Sequence, residues 1–325
     1  QSKAAEGGPG FIPKFYLVSE WHEDPSHNKM PLPSKVSEVM PDKQTCFILH
    51  GVFGSGKNWI PFVRTHLAPR LPGWQFVLLD LRGHGESEAG EEPHTLSSCA
   101  ADIRRLADAI GRAPDVLIGH SLGGKIALEY LEIADASPRK IWVLDSWAEK
   151  LETTRDYQSR EEEVHWGHLG GGSGPSFMRD LQPGASMLVL QHLEAIPTPI
   201  RNRTAVMESL TALGHCKQTA TWMCSNLRPA PGGGLQWRFD LRVVGELIFD
   251  AAKVDSLKTM EKTDSEVGFV RAGKGMRWSE GALQRLERSL ALNPKVNSHV
   301  LTDAAHWVHV DSPQELCDLM HGTFA

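Results

Sequence analysis

Apolar and polar positions follow two different periods along the chain. Short apolar runs, typical of strands buried on both faces, are followed by segments with the three-to-four-residue apolar spacing of an amphipathic helix. The runs predict strands at 45–49, 75–80, 115–119 and 140–144, and the spacings predict helices at about 58–68, 96–110 and 122–134. Strands and helices that alternate in this way predict a mostly parallel sheet with helices on both faces.

After residue 150 this alternation gives way to a mostly helical stretch interrupted by Gly and Pro. Helices are predicted there at about 155–166, 186–194, 202–213, 215–227 and 241–259. The earlier order then resumes with a strand at 267–270, a helix at about 279–291, a strand at 297–301 and a final helix at 313–323. The chain is therefore predicted to consist of an N-terminal extension (1–41) with an edge strand at 14–19, a core (42–150 and 263–325) and an inserted helical cap (151–262).

A serine stands between glycines at the point where a predicted strand turns into a helix. The segment Val116–Gly124 reads VLIGHSLGG, and Ser121 lies at the turn. Such a nucleophile elbow needs glycines, because they let the backbones pass close and tolerate unusual dihedral angles. Ser121 is therefore the candidate nucleophile. The alternative is a Gly-rich loop with an incidental serine.

A serine nucleophile requires a base and a third group that orients the base. His306 lies in the loop after the predicted strand 297–301, at the sheet edge where active-site groups of parallel sheets gather. It is preferred to His309, which leads into the last helix and is expected to pack or cap there. Asp145 ends a strand next to the serine strand and is the candidate acid. A helix N-cap or a solvated aspartate is the alternative interpretation.

Backbone amides are predicted to stabilise an oxyanion beside Ser121. One belongs to Leu122, at the start of a helix, and the other to Val52 or Phe53, in the loop where Gly51 lets the chain turn. The candidate pocket residues are His50, Gly51, His120, Trp166, Met187, Leu190 and Trp222. The cap members of this set favour an apolar acyl or alcohol group, although they fit the cap's own core equally well.

Composition and charge narrow the possible partners. The 325 residues carry a formal net charge of −6, which leaves no basic surface for nucleic acid. No apolar stretch approaches the roughly 20 residues needed to cross a bilayer. The five cysteines include no Cys-x-x-Cys pair and indicate a reducing compartment, such as the cytoplasm or an organelle matrix or stroma. A small-molecule ester is the expected partner, and the oligomeric state is left open.

Several motifs occur in the order found in the α/β-hydrolase superfamily. They are His50-Gly51, Asp80–Ser87 (DLRGHGES), Gly119–Lys125 (GHSLGGK) and Ala305–His309 (AHWVH). In these motifs the chain resembles that superfamily, and within it the small intracellular carboxylesterases of the α/β-hydrolase-domain-containing group. The resemblance implies an α/β-hydrolase fold and a serine hydrolase that cleaves carboxylic esters with the triad Ser121, His306 and Asp145. This chemistry requires no metal and no organic cofactor.

The usual position of the acid in this superfamily is empty. The loop after the next-to-last strand reads Ala272–Trp278 (AGKGMRW), with no carboxylate before Glu280. Some members of the resembled subgroup take the acid from one strand earlier, which is Asp145 in this chain. Glu280 is the substitute if Asp145 has only a structural role.

Two other functions compete with ester hydrolysis. Residues 51–57 fit the Gly-x4-Gly-Lys pattern of a nucleotide-binding loop, but Asn58 replaces the Ser or Thr that coordinates the metal ion. The second alternative is a non-catalytic α/β-hydrolase fold that binds a small apolar ligand as a receptor or scaffold subunit. The presence of both Ser121 and His306 favours the enzyme.

Overall fold

A seven-stranded sheet forms the centre of the computed structural model, which describes residues 11–19, 33–134, 137–150, 185–275 and 278–324. The strands are β1 (Phe15–Val18), β2 (Gln44–Leu49), β3 (Trp74–Leu79), β4 (Val116–His120), β5 (Lys140–Leu144), β6 (Leu227–Pro229), β7 (Leu235–Trp237), β8 (Glu266–Ala272) and β9 (Val296–Leu301). The sheet order is β1-β3-β2-β4-β5-β8-β9, with β1 antiparallel to β3 and the other neighbours parallel. The predicted mostly parallel sheet is confirmed.

Both faces of the central strands are apolar. In β2, Cys46 and Ile48 join the cluster on one face, while Phe47 and Leu49 join the cluster on the other. Side chains alternate across a strand, so a strand covered by helices on both sides has no position that needs a polar residue. This is why β2, β3 and β4 appear in the sequence as nearly continuous apolar runs.

Helices cover the two faces of the sheet. In chain order they are α1 (Ile60–Phe62), α2 (Leu96–Ile110), α3 (Leu122–Ile133), α4 (Ala185–Glu194), α5 (Arg203–Ala212), α6 (Lys217–Ser225), α7 (Leu241–Ala251), α8 (Ser256–Lys262), α9 (Glu280–Leu292), α10 (Val308–Asp311) and α11 (Pro313–His321). Helices α2, α3, α8 and α9 pack on the Phe47 face, and α11 packs on the Cys46 face. Within the described ranges, no helix is long and apolar enough to span a membrane.

The predicted helix at 58–68 is a succession of short helical pieces. A 3-10 turn at Gly56–Trp59 leads into α1, a π-helical stretch at Val63–Leu67 and a second 3-10 turn at Ala68–Arg70. A proline occupies the first turn of two of these pieces, α1 and the second 3-10 turn. Proline lacks the amide hydrogen that a continuous helix requires, so it is tolerated only where a helix begins.

The predicted helix at 241–259 is divided into α7 and α8. Between them the buried Lys125 of α3 donates from Nζ to the carbonyl oxygens of Ala251 (2.6 Å), Val254 (2.7 Å) and Glu149 (3.0 Å). The carbonyl oxygens of Ala251 and Val254 lie at the break between the two helices, and Lys125 donates to them there. Helix α8 then packs on the sheet core through Leu257 and Met260.

Helices α4 to α7 and the β6–β7 hairpin form an apolar cluster of their own beside the sheet edge; we call residues 185–251 the cap segment. The hairpin has no counterpart among the predicted elements, because residues 229–234 are interpreted as a Gly/Pro interruption between helices. Gly232, Gly233 and Gly234 adopt positive φ and close the turn between the two strands. The predicted helix 155–166 lies outside the described residues, and the cap boundaries 151–262 stay a prediction.

Candidate active site

Ser121 lies at the turn between β4 and α3 in a strained backbone conformation. Its φ is 54° and its ψ is −120°, outside the regions that residues with a Cβ ordinarily adopt. Its amide donates to the carbonyl oxygen of Leu144 on β5, and its carbonyl accepts from the amide of Gly124, both at 2.9 Å. The predicted sharp strand-to-helix turn is therefore present, and neighbouring main chain holds it in place.

The glycines on either side of Ser121 are required by close contact. A Cβ on Gly119 would lie 2.2 Å from the carbonyl oxygen of Gly123, and a Cβ on Gly123 would lie 2.6 Å from the carbonyl oxygens of Leu49 and His50. Neither glycine has a positive φ. The expected close approach is therefore found, whereas the unusual dihedral angle falls on the serine itself.

Asp145 and His306 form a buried pair. Nδ1 of His306 lies 2.7 Å from Oδ2 of Asp145, and the amide of Ala272 donates to Oδ1 over 3.0 Å. Asp145 is 0% exposed and His306 is 8% exposed. A carboxylate only accepts hydrogen bonds, so Nδ1 of the neutral imidazole carries the proton and donates it to Asp145. Nε2 is then left as the acceptor that a general base needs.

The backbone at the end of β5 turns sharply to place Asp145 in this pair. Asp145 has φ 41°, and its amide donates to the carbonyl oxygen of Val270 over 2.7 Å. A Cβ on Gly275, in the loop where the superfamily has its usual acid, would lie 2.7 Å from Oδ2 of Asp145. Glu280, the alternative acid, is exposed at the start of α9 and accepts from Nε2 of Gln284 over 3.3 Å.

The loop after β2 turns directly against the serine. The amide of Gly54 donates to the carbonyl oxygen of Gly51 over 3.0 Å, and Phe53 adopts φ 58° within this turn. A Cβ on Gly51 would lie 3.0 Å from Cβ of Ser121. The amides predicted to stabilise an oxyanion therefore belong to two segments that meet at Ser121: the loop with Val52 and Phe53, and the first residue of α3.

His50 holds this loop through both ring nitrogens. Nε2 accepts from the amide of Leu81 over 3.0 Å, so Nδ1 carries the proton and donates to the carbonyl oxygen of Gly51 over 2.7 Å. Burial, with a smaller contribution from His84, lowers the pKa of His50 to about 3 and keeps it neutral. His50 thus supports the loop, and its direct contact with a substrate stays a prediction.

The serine turn and the His306 loop approach each other through His120. The rings of His120 and His306 have centroids 4.6 Å apart, and His120 precedes Ser121 in the chain. Among the contacts of the described residues there is no direct hydrogen bond between Oγ of Ser121 and His306. Hydrogen bonds of this kind often tighten only when a substrate binds.

Comparisons with known proteins agree with this architecture. A family model described as alpha/beta hydrolase fold matches residues 47–167. The sn-1-specific diacylglycerol lipase ABHD11 of Mus musculus is 24% identical over 284 residues, which cover 83% of this chain and 77% of that protein. Its Xenopus laevis counterpart is 26% identical over 272 residues, which cover 82% of this chain and 75% of that protein. This chain has the α/β-hydrolase fold, and it is similar to proteins of the ABHD type.

A solved structure shares the fold of this α/β-hydrolase along nearly its whole length. A marine microorganism esterase matches with a TM-score of 0.68 and 17% identity, covering 95% of this chain and 99% of that chain. The structural likeness shows the fold. The curated relatives are lipases by name, and they support hydrolase activity toward esters in general terms.

Aromatic side chains of the cap segment contact the site loops of this α/β-hydrolase. The ring of Phe53 lies 5.2 Å from that of Phe239 and 6.2 Å, edge-on, from that of Trp222. The ring of Trp222 also contacts that of Trp307 edge-on, with centroids 5.1 Å apart, and Trp307 directly follows His306 in the chain. Trp222 therefore bridges the Phe53 loop and the His306 loop, as a pocket wall would.

The other predicted cap residues differ in position. Leu190 is buried within the cap cluster, and Met187 is a partly buried neighbour of that cluster. Both positions agree with the alternative interpretation, in which these side chains form the cap's own core. Trp166 lies outside the described residues.

Asp80 organises the loops behind the site, a role that the sequence motif does not reveal. Its carboxylate accepts from the amides of Gly56 (2.7 Å) and Glu86 (2.8 Å) and from the hydroxyl of Tyr16 (3.1 Å). Burial raises the pKa of Asp80 to about 6, although these donors act in the opposite direction. The nearby Lys57 of the nucleotide-loop pattern lies 3.4 Å from the carboxylate of Glu86, so this lysine forms an ion pair within the fold.

His309 packs in the core, as predicted. Its ring stacks on Trp59 with centroids 3.9 Å apart, and it is 6% exposed. Burial, with His306 contributing less, lowers the pKa of His309 to about 3. The unfolded chain, with an ordinary pKa near 6.5, binds one proton more than the folded chain between these values.

His309→Phe should therefore weaken the pH dependence of stability. In the wild type this residue makes stability rise with pH, so that its contribution is lost as pH falls from about 6.5 toward 3. Phenylalanine keeps the stacked ring and takes up no proton, so the slope of the unfolding free energy between pH 4 and 6 should fall by about 1.4 kcal/mol per pH unit. Urea denaturation at several pH values measures this slope, and equal slopes for the two proteins would contradict the prediction.

Proposed function

We propose that this protein is a serine hydrolase that cleaves carboxylic esters through an acyl-enzyme. Ser121 is the nucleophile, His306 the general base and acid, and Asp145 the group that orients His306. The observation that carries the proposal is the buried Asp145–His306 hydrogen bond of 2.7 Å, which leaves Nε2 as the free acceptor on the ring. Support also comes from the strained serine turn, since backbone strain of this kind clusters at functional sites.

The reaction proceeds in two halves. Oγ of Ser121 attacks the ester carbon as its proton passes to Nε2 of His306, and Asp145 stabilises the imidazolium that forms. The amides of Leu122 and of Val52 or Phe53 donate to the oxyanion. Its collapse expels the alcohol, which takes the proton from His306. Water then attacks the acyl carbon as its proton passes to His306. When the bond from the acyl carbon to Oγ of Ser121 breaks, His306 gives this proton to Oγ and the carboxylic acid is released.

An apolar acyl or alcohol group suits the described walls of the site. Phe53, Trp222 and Trp307 form a series of aromatic contacts from the loop after β2, through the cap segment, to the His306 loop. Such a wall gains from burying hydrocarbon, about 25 cal/mol for each Å² removed from water. The lipase names of the curated relatives agree with a lipid-like ester. Small-molecule esters with an apolar chain are therefore the proposed substrates.

A reducing compartment is the proposed location. The five cysteines are free and buried, at Cys46, Cys99, Cys216, Cys224 and Cys317. Burial raises the pKa of Cys99 and of Cys317, which keeps these thiols protonated. Thiols in this state serve as small apolar side chains. A fold whose cysteines are unpaired needs no oxidising environment to form.

Labelling with a fluorophosphonate probe tests the proposed nucleophile. The folded protein is expected to carry one adduct on the peptide with Ser121, found by mass spectrometry, because only an activated serine attacks this phosphorus. Ser146 is a serine of the neighbouring loop that is 2% exposed, and it serves as the internal control that stays unlabelled. A folded protein that binds an apolar ester yet gains no adduct would instead be a receptor or scaffold of this fold.

A further inference from the structure

His120 connects the serine turn to the loop that carries His306. It is the last residue of β4 and directly precedes Ser121. Its Nε2 lies 2.8 Å from the main-chain oxygen of His306, and its side chain is almost completely buried. A residue adjacent to the nucleophile is thus bonded to the main chain of the base.

The protonation of His120 follows from its partner. A carbonyl oxygen only accepts, so Nε2 of His120 carries the proton and Nδ1 does not. Burial, reinforced by His306 and His309, lowers the pKa of His120 well below its usual value, so the ring stays neutral. A Cβ on Gly51 would lie 3.2 Å from Nδ1 of His120. The ring therefore sits between the Gly51 turn and the His306 loop in one defined tautomer.

Two separate bonds hold His306. Asp145 binds the imidazole at Nδ1 and sets the orientation of the ring. His120 binds the main-chain oxygen and sets the position of the backbone from which that ring extends. Asp145 holds the imidazole at one ring nitrogen only, so the ring can still pivot about that bond unless the main chain of His306 is held as well. His120 supplies this second hold, and because it directly precedes Ser121 it ties the main chain of His306 to the serine turn.

We propose that His120 is a positioning residue whose Nε2–H donor fixes the main chain of His306 relative to the Ser121 turn. The proposal rests on the serine hydrolase function above and concerns the same site. In this role His120 acts through His306, in place of the substrate contact that the sequence predicted for it. A misplacement of about 1 Å at a reacting group costs on the order of 10²-fold in rate, so one main-chain bond suffices for a large effect.

The neighbours of His120 provide a matched control. Its ring lies 5.5 Å from that of His309 and 6.2 Å from that of Trp59. His309 is a second buried, neutral imidazole of the same cluster, but its described contacts include no bond to the main chain of His306. His309→Phe therefore reports on loss of a buried ring nitrogen without loss of the positioning bond.

Three substitutions at one position separate positioning from packing. His120→Phe keeps a ring and removes the donor. His120→Gln places an amide N–H near the original Nε2, while His120→Asn places it near the original Nδ1. We expect kcat to fall about 10²-fold in His120→Phe and His120→Asn, with KM little changed, and to be largely restored in His120→Gln. Melting temperature and the folded fraction by circular dichroism are measured for each variant, and kcat is referred to folded protein.

The rate of fluorophosphonate labelling at Ser121 should follow the same order as kcat. The inference is overturned if His120→Phe retains wild-type kcat, if Asn restores activity as well as Gln does, or if His309→Phe loses as much kcat as His120→Phe. A wild-type protein that neither hydrolyses esters nor labels at Ser121 would refute the proposed function, which separates that failure from the failure of the His120 inference.

Discussion

Ser121→Ala should abolish ester turnover, lowering kcat by at least about 10⁵-fold. The substitution removes the atom that forms the acyl-enzyme, while the amides that would stabilise an oxyanion stay in place. Alanine fits the same turn, so stability should change by less than about 1 kcal/mol. Hydrolysis of a p-nitrophenyl ester with a short fatty acyl chain, together with the melting temperature, measures both effects.

Ser146→Ala is the matched control for this substitution. Ser146 follows Asp145 and lies against helix α3, which begins directly after Ser121. A Cβ on Gly124 of that helix would lie 2.8 Å from Cβ of Ser146. It has no role in the proposed reaction, and its variant should keep turnover within a few-fold. A Ser121→Ala protein that still hydrolyses esters would show that the nucleophile lies elsewhere. One that still binds the ester without turnover agrees with the proposal.

Asp145→Asn should lower kcat by about 10⁴-fold, as the equivalent change does in the serine protease triad. Each carboxylate oxygen of Asp145 accepts one hydrogen bond, from Ala272 and from His306. An asparagine has one carbonyl oxygen and one amide nitrogen, so it accepts only one of them. If the asparagine oxygen still accepts from the amide of Ala272, the side-chain NH2 group faces Nδ1 of His306. Because this group only donates, Nδ1 must accept and the imidazole proton moves to Nε2. His306 then has no lone pair for the serine proton.

Glu280→Gln is the control for the acid assignment. Its side chain is exposed and accepts from Gln284, and the substitution should leave kcat and the pH profile unchanged. Steady-state kinetics on both variants decide the question. Wild-type activity in Asp145→Asn, with loss of activity in Glu280→Gln, would transfer the orienting role to Glu280.

Most of the sheet was predictable because its strands leave a simple trace in the sequence. Strands β2 to β5 are apolar on both faces, and each ends close to its predicted boundary. Elements determined by long-range contacts were not predictable. The division between α7 and α8 depends on Lys125, which is far away in the chain, and the β6–β7 hairpin is closed by glycines that also fit an irregular loop.

The candidate site shows the same contrast. The placement of Ser121, Asp145 and His306 at one edge of the sheet was predictable, because each follows a strand and the carboxyl ends of parallel strands share that edge. The bonds that support them were not. His50 and His120 bind main-chain oxygens of Gly51 and His306, and any residue type presents such an oxygen, so the sequence carries no signal for the partner. These contacts became visible only in three dimensions.

Three residues of the site, Phe53, Ser121 and Asp145, have a positive φ although each bears a side chain. At these positions, higher stability and the proposed function therefore place opposite demands on the residue. Glycine would relax the backbone at each of them and make the fold more stable, but it would delete an aromatic ring, the proposed nucleophile or the proposed acid. Substitutions intended to raise the melting temperature should leave these three residues unchanged and be placed on surfaces remote from them.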